Sequence, residues 1–166
     1  MDSTSAGRTL VLGIGNTLLT DESAGVRVVE YLQLRNPELA DVVWLDGGTL
    51  SFTLAPEVES AERLIVVDAT ELRSPPGTVQ VFVDAEMDRM LGGHGRSIHE
   101  VGLLDLMDIA RLSERLPARR ALVGIQPGLV GWGSEPTADV AAAIPEAARA
   151  VAALLTDWTG QTVNAD

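Results

Sequence analysis

Short runs of consecutive apolar residues alternate along the chain with stretches in which apolar side chains recur every three or four positions. The first pattern predicts strands buried on both faces, the second helices covering them. Thr9 to Ile14 is such a run, expected to be a central strand. Thr20 is placed to cap a following helix, with Asp21 and Glu22 in its first turn, Val26, Val29 and Leu32 on its apolar face, and an end before Asn36-Pro37. Val42 to Leu45 predicts a second strand, closed by Asp46-Gly47-Gly48, and a short helix is expected from about Leu50 to Glu62 around Pro56. Leu64 to Val67 predicts a third strand, which Asp68 ends.

Ser74-Pro75-Pro76-Gly77 is a turn signal, and Val79 to Val83 alternates as an edge strand does. Leu91 to Arg96 is a glycine-rich stretch expected to be mobile. Ser97-Ile98-His99-Glu100 then leads into a helix bearing Leu103, Leu106, Met107 and Ala110. Ala121 to Ile125 predicts a last strand, Gln126 to Pro136 a long loop, and Ala138 to Asp157 a closing helix interrupted or kinked by Pro145. Strands alternating with helices predict an α/β fold, a three-layer α/β/α sandwich with a mostly parallel sheet of about five strands. One domain over residues 1–166 is expected, with flexible tails at 1–7 and 158–166.

Composition narrows the function. The chain has 24 acidic and 12 basic residues, a net charge of −12, so nucleic acid and anionic membrane surfaces are disfavoured as partners. Cysteine is absent, which removes disulfides, thiol nucleophiles and cysteine zinc sites. No apolar run approaches the roughly 20 residues of a membrane helix, and the polar amino terminus has no signal-peptide pattern, so a cytoplasmic protein is expected. Every basic residue is Arg, a bias of GC-rich bacterial genomes.

In open parallel sheets ligands gather beyond the carboxyl ends of the strands. Three ionisable residues fall at such places: Glu22 after strand one, Asp68 at the end of strand three, and His99 at the start of the helix after the glycine-rich stretch. Two carboxylates and an imidazole suit a divalent metal such as zinc or nickel and leave positions open for water or substrate. Such a site can polarise a carbonyl or acidify water. Each residue also has a plainer role, Glu22 complementing a helix dipole, Asp68 holding a turn and His99 making a backbone hydrogen bond. Asp46 before Gly47-Gly48 is either a turn residue or a functional one. His94 is expected to be an exposed spacer, and Trp132 is either a partner contact or, as the plainer reading, an anchor of its loop on the core. Gly13-Ile14-Gly15-Asn16 lacks the third glycine of a dinucleotide fingerprint, and Asp21-Glu22 would repel a pyrophosphate.

Six blocks in order carry a resemblance: GIGNTLLTDESAG from Gly13 to Gly25, LDGGT from Leu45 to Thr49, IVVDA from Ile65 to Ala69, PPGTV from Pro75 to Val79, SIHEVGL from Ser97 to Leu103, and LVGIQP from Leu122 to Pro127. The chain, from about Leu10 to Leu155, resembles the hydrogenase maturation endopeptidases, which act on precursors of nickel-iron hydrogenase large subunits. The resemblance implies that Glu22, Asp68 and His99 hold the metal-binding positions and that the metal is nickel supplied by the substrate. Zinc or cadmium would be surrogates for it in crystals. It implies removal of a short carboxy-terminal extension from the nickel-loaded precursor, and it matches Asp46 to the family's Asp-Gly-Gly-Thr block, where it would orient water or substrate. Two other readings stand beside it: a self-contained zinc-dependent peptidase or amidase using the same trio, and a non-catalytic nickel-sensing chaperone.

Overall fold

The computed structural model describes residues 7–48, 52–93 and 98–166, the side chains of residues 98–101 excepted. The apolar runs become five strands, β1 (Thr9–Ile14), β2 (Val42–Gly48), β3 (Arg63–Ala69), β4 (Val79–Val83) and β5 (Arg119–Ile125). They form one sheet in the order β2-β1-β3-β5-β4. β1 pairs parallel with both β2 and β3, and β3 parallel with β5, whereas β4 runs antiparallel on the edge. β1 is interior, as its unbroken burial requires, although the middle of the five is β3.

Successive strand residues point to opposite faces, so each interior strand contributes to two cores. Val11, Ile65, Val67, Val123 and Ile125 pack on one face against α1 (Ala24–Arg35) and α5 (Ala138–Thr159). Leu10, Leu12, Ile14, Leu64, Val66 and Leu122 pack on the other, against α2 (Ala55–Glu59), α3 (Ala85–Gly92) and α4 (Ile98–Leu112). The result is the expected α/β/α sandwich. Among the described residues no helix is long and apolar enough to cross a membrane.

Several expectations are corrected. Thr20 caps no α-helix: Thr20–Ser23 is a 3-10 turn that runs into α1 at Ala24, and the Thr20 hydroxyl donates instead to the carbonyl of Leu129, 2.5 Å away. The helix around Pro56 is shorter than expected, a 3-10 turn at Phe52–Leu54 followed by α2. α3 was not anticipated; Met87 and Leu91, one turn apart, are both buried under it. α5 continues through Pro145 to Thr159 without interruption. The N–H that proline lacks would have met the carbonyl of Ala141, on the exposed side of the helix where solvent can replace it.

Residues 158–166 are no loose tail. Asn36 donates to the Asn164 carbonyl and accepts from the Asn164 N–H, both at 2.7 Å, and Tyr31 donates to the carbonyl of Ala165, which is itself buried. At the other end, residues 1–6 lie outside the described ones, while Gly7 is buried and its carbonyl accepts from Arg63.

Candidate functional site

The carboxyl rim of the sheet is built around a close approach of α1. Gly25 sits where a Cβ would lie 2.2 Å from the Val67 carbonyl oxygen and 2.5 Å from that of Ile14, so only glycine lets the helix settle onto the ends of β1 and β3. Gly15 has φ +140°, and a Cβ there would stand 1.8 Å from the Glu22 carbonyl oxygen. These two glycines bring the turn carrying Glu22 down onto the rim. Gly13 of β1 pairs with Val67 of β3, so Asp68 is the next residue outward on the neighbouring strand.

Glu22 is half-buried in that turn. Asp68 is only 2% exposed and lies one residue inside the end of β3 rather than beyond it. Glu22 and Asp68 therefore come to the same rim from adjacent elements. Asp46 is at the same level, since it pairs with Gly13 from the other side. It is exposed, and its Oδ1 accepts the Gly48 N–H at 2.8 Å, a turn-closing bond. Two strand spacings, roughly 10 Å, separate it from β3.

His99 is the second residue of α4. β5 starts at the amino edge, where Arg119 pairs with Arg63, and just past the carboxyl end of α4 the Ser113 hydroxyl donates to Glu59 at 3.0 Å, beside the entry to β3. α4 thus descends from the carboxyl rim, and His99 belongs to its upper end. The His99 side chain lies outside the described ones, as does the whole of His94. Among the described side chains no three imidazoles or carboxylates cluster.

The residue that the sequence reading passed over is Asp21. It is fully buried, and its carboxylate is met by backbone N–H groups and a hydroxyl. Oδ2 accepts the N–H groups of Gly128 and Leu129, each at 2.8 Å, and Oδ1 accepts the Thr137 N–H at 2.6 Å. The Thr137 hydroxyl donates to both oxygens, at 2.9 and 2.8 Å. Burial pushes the Asp21 carboxyl upward, but the bonds from the Leu129, Thr137 and Gly128 backbone outweigh it and hold the carboxyl below the ordinary range. The charge also faces the start of α5, where a helix dipole favours it.

The turn is fastened further. Ser23 donates to the Thr20 carbonyl at 2.6 Å, and Arg27 donates to the Ser23 hydroxyl at 3.0 Å and to the Ser134 carbonyl. On the other side of Asp68, the Thr70 N–H bonds the Ile125 carbonyl at 2.9 Å, and the buried Gln126 side chain accepts from Leu72 N–H at 2.6 Å while donating to Glu71 at 3.1 Å. Asp68 thus sits between two fixed loops. Trp132 does not anchor its loop on the core: it is 84% exposed.

Residues 26–154 match the model of the hydrogenase maturation protease family. The chain is 40% identical over 155 residues to the hydrogenase expression/formation protein HupD of Rhizobium leguminosarum bv. viciae, covering 92% of this chain and 76% of that protein. It is 37% identical over 123 residues to the hydrogenase 2 maturation protease of Escherichia coli (strain K12), covering 72% of this chain and 73% of that protein. The hydrogenase maturating endopeptidase HybD from E. coli superposes with a TM-score of 0.85 at 36% identity, over 90% of this chain and 93% of that one. The HybD [NiFe] hydrogenase maturation protease from Thermococcus kodakarensis gives 0.75 at 30% identity, over 89% and 98%.

Proposed function

The chain belongs to the hydrogenase maturation protease family, and on that premise we propose that it removes the carboxy-terminal extension from a nickel-loaded precursor of a hydrogenase large subunit. Glu22, Asp68 and His99 engage the nickel that the precursor brings, and the protease carries no resident metal. The observation that supports this most is the meeting of the Glu22 turn with the Asp68 end of β3 at one rim, toward which α4 starts with His99.

The donor set fits the cargo. Two carboxylates and one imidazole suit a divalent borderline ion, and a buried carboxylate such as Asp68 favours a cation that can stand beside it. Glu22 and Asp68 hold the precursor's nickel centre at the rim, which places the scissile amide over the sheet end. Water adds to the amide carbonyl carbon, the C–N bond breaks, and the released amine takes up the proton. Asp46, exposed at the same rim, orients that water or the incoming chain. Metal insertion then licenses cutting, because the precursor without nickel lacks the feature these residues read. The setting is cytoplasmic, and no nucleic acid or membrane takes part.

The test pairs the purified protein with its precursor, nickel-loaded and nickel-free, and weighs the precursor by mass spectrometry. Shortening of the loaded form only is expected, together with no shortening by Glu22→Gln or His99→Ala variants that keep the wild-type unfolding temperature. Equal cleavage of the nickel-free form would point to a self-contained zinc peptidase. Tight binding without any loss of mass would point to a chaperone.

A further inference from the structure

Two loops at the carboxyl rim are joined in an unusual sense. The stretch Leu18–Asp21 and the stretch Gly128–Gly133 are bound to each other by a set of hydrogen bonds. The Gly133 N–H bonds the Leu18 carbonyl at 3.0 Å, the Gly131 N–H bonds the Thr20 hydroxyl at 3.0 Å, and the Asp21 N–H bonds the Leu129 carbonyl at 3.2 Å. Leu19 bridges to Trp132 and Gly133 in strand fashion, and the Asp21 carboxylate clamps the far loop from beneath. Four large apolar side chains of the same two stretches are exposed, Leu18 at 59%, Leu129 at 57%, Val130 at 55% and Trp132 at 84%, while Leu19 between them is half-buried.

A loop ordinarily buries its apolar side chains and exposes its polar groups. Here polar groups fix the backbone, and four large apolar side chains stand in solvent on two loops tied to each other. Such a patch loses little conformational freedom when it is covered, which is how rigid aromatic anchors gain affinity. It is continuous with the candidate site, because Leu18 and Glu22 are four residues apart on one tied segment.

We infer that Leu18, Leu129, Val130 and Trp132 form the docking surface for the precursor, gripping an apolar segment flanked by basic side chains; this rests on the proteolytic reading given above. Charge selects that occupant. The chain has a net charge of −12, and Glu135 and Asp139 are exposed just beyond the patch, so a second copy of this chain would meet like charge while basic flanks are attracted.

The test measures initial cleavage rates over a range of nickel-loaded precursor concentrations for wild type, Trp132→Ala, Leu129→Ser and Leu112→Ser. Leu112, 87% exposed at the amino-edge end of α4, serves as the control. The first two variants are expected to raise KM about tenfold or more with kcat within about twofold, and the control to change neither. Binding of the same proteins to immobilised precursor is followed in parallel, with far-UV circular dichroism to confirm folding. Unchanged KM and binding in both patch variants would overturn the docking surface and leave proteolysis intact. Wild type that binds through the patch but never cuts would overturn proteolysis and leave the surface standing. Absence of wild-type binding would overturn both. A sedimenting dimer that Trp132→Ala dissolves would overturn the inference by giving the patch to a second copy.

Discussion

Glu22 and Asp21 are chain neighbours with opposite physical circumstances. Glu22 could be picked out from the sequence because it follows a predicted strand end, and strand ends are where local pattern and ligand position coincide. The same logic found Asp68. It could not find the task of Asp21, whose partners Gly128, Leu129 and Thr137 lie 107 to 116 residues away and belong to a loop with no periodic signal. Replacing Asp21 with Asn would turn an NH2 group toward backbone donors that now share a carboxylate. At least one buried N–H loses its acceptor, at about 1–3 kcal/mol each, so Asp21→Asn is expected to lower stability by about 2–4 kcal/mol. A shift of the urea midpoint at unchanged m-value would register it. A loss below about 0.5 kcal/mol would mean that the loop is held by its other bonds. Because the loop carries the exposed Trp132, loosened docking of the precursor should accompany the lost stability.

The strands and α1 were readable as elements because burial on both faces writes unbroken apolar runs and a helix writes a period of three to four. α3 was not, since eight residues with two fully buried side chains carry too little periodicity beside the glycine-rich stretch that follows. The Thr20–Ser23 turn was misread as an α-helical start because Thr, Asp and Glu are the residues of a helix entrance, and the bond that competes, from Thr20 to Leu129, is nonlocal. The plainer of the two readings of Trp132, an anchor on the core, fails because its loop is fastened through backbone and hydroxyl groups instead. Gly25 is where an element's position depends on a single hydrogen atom. A Cβ in place of that hydrogen would run into two backbone oxygens that cannot swing aside. Gly25→Ala should therefore lift α1 from the ends of β1 and β3, costing about 3 kcal/mol or more, and separate Glu22 from Asp68. Thermal unfolding would report the first effect and precursor processing the second. Pro145→Ala acts in the opposite direction. It restores an N–H for the Ala141 carbonyl in an otherwise continuous helix, and a rise in stability of about 1 kcal/mol is expected in the same thermal assay.

At the scale of the whole molecule, acid brings two opposing effects. Protonating ordinary surface carboxylates removes repulsion from a chain of net charge −12 whose sequence pI is about 4.4, which favours the compact state as pH falls toward that value. Asp21 and Asp88 work against it. Bonds from Arg120, at 2.9 and 2.6 Å, hold the Asp88 carboxyl below its usual range, as the loop N–H groups do for Asp21. A carboxylate depressed in the folded state binds fewer protons there than in the unfolded chain, so its stabilisation is complete above the unfolded pKa of about 4 and disappears as pH falls through the folded value. Stability should thus change little from pH 7 to 5 and drop steeply below about pH 4. The drop belongs to these two groups if Asp21→Asn and Asp88→Asn, each less stable at neutral pH, lose less than wild type on acidification. Urea titrations at successive pH values decide the matter: parallel curves for all three proteins would assign acid unfolding to general charge, whereas converging curves tie it to the clamp beneath the Trp132 loop and to the Arg120 pair.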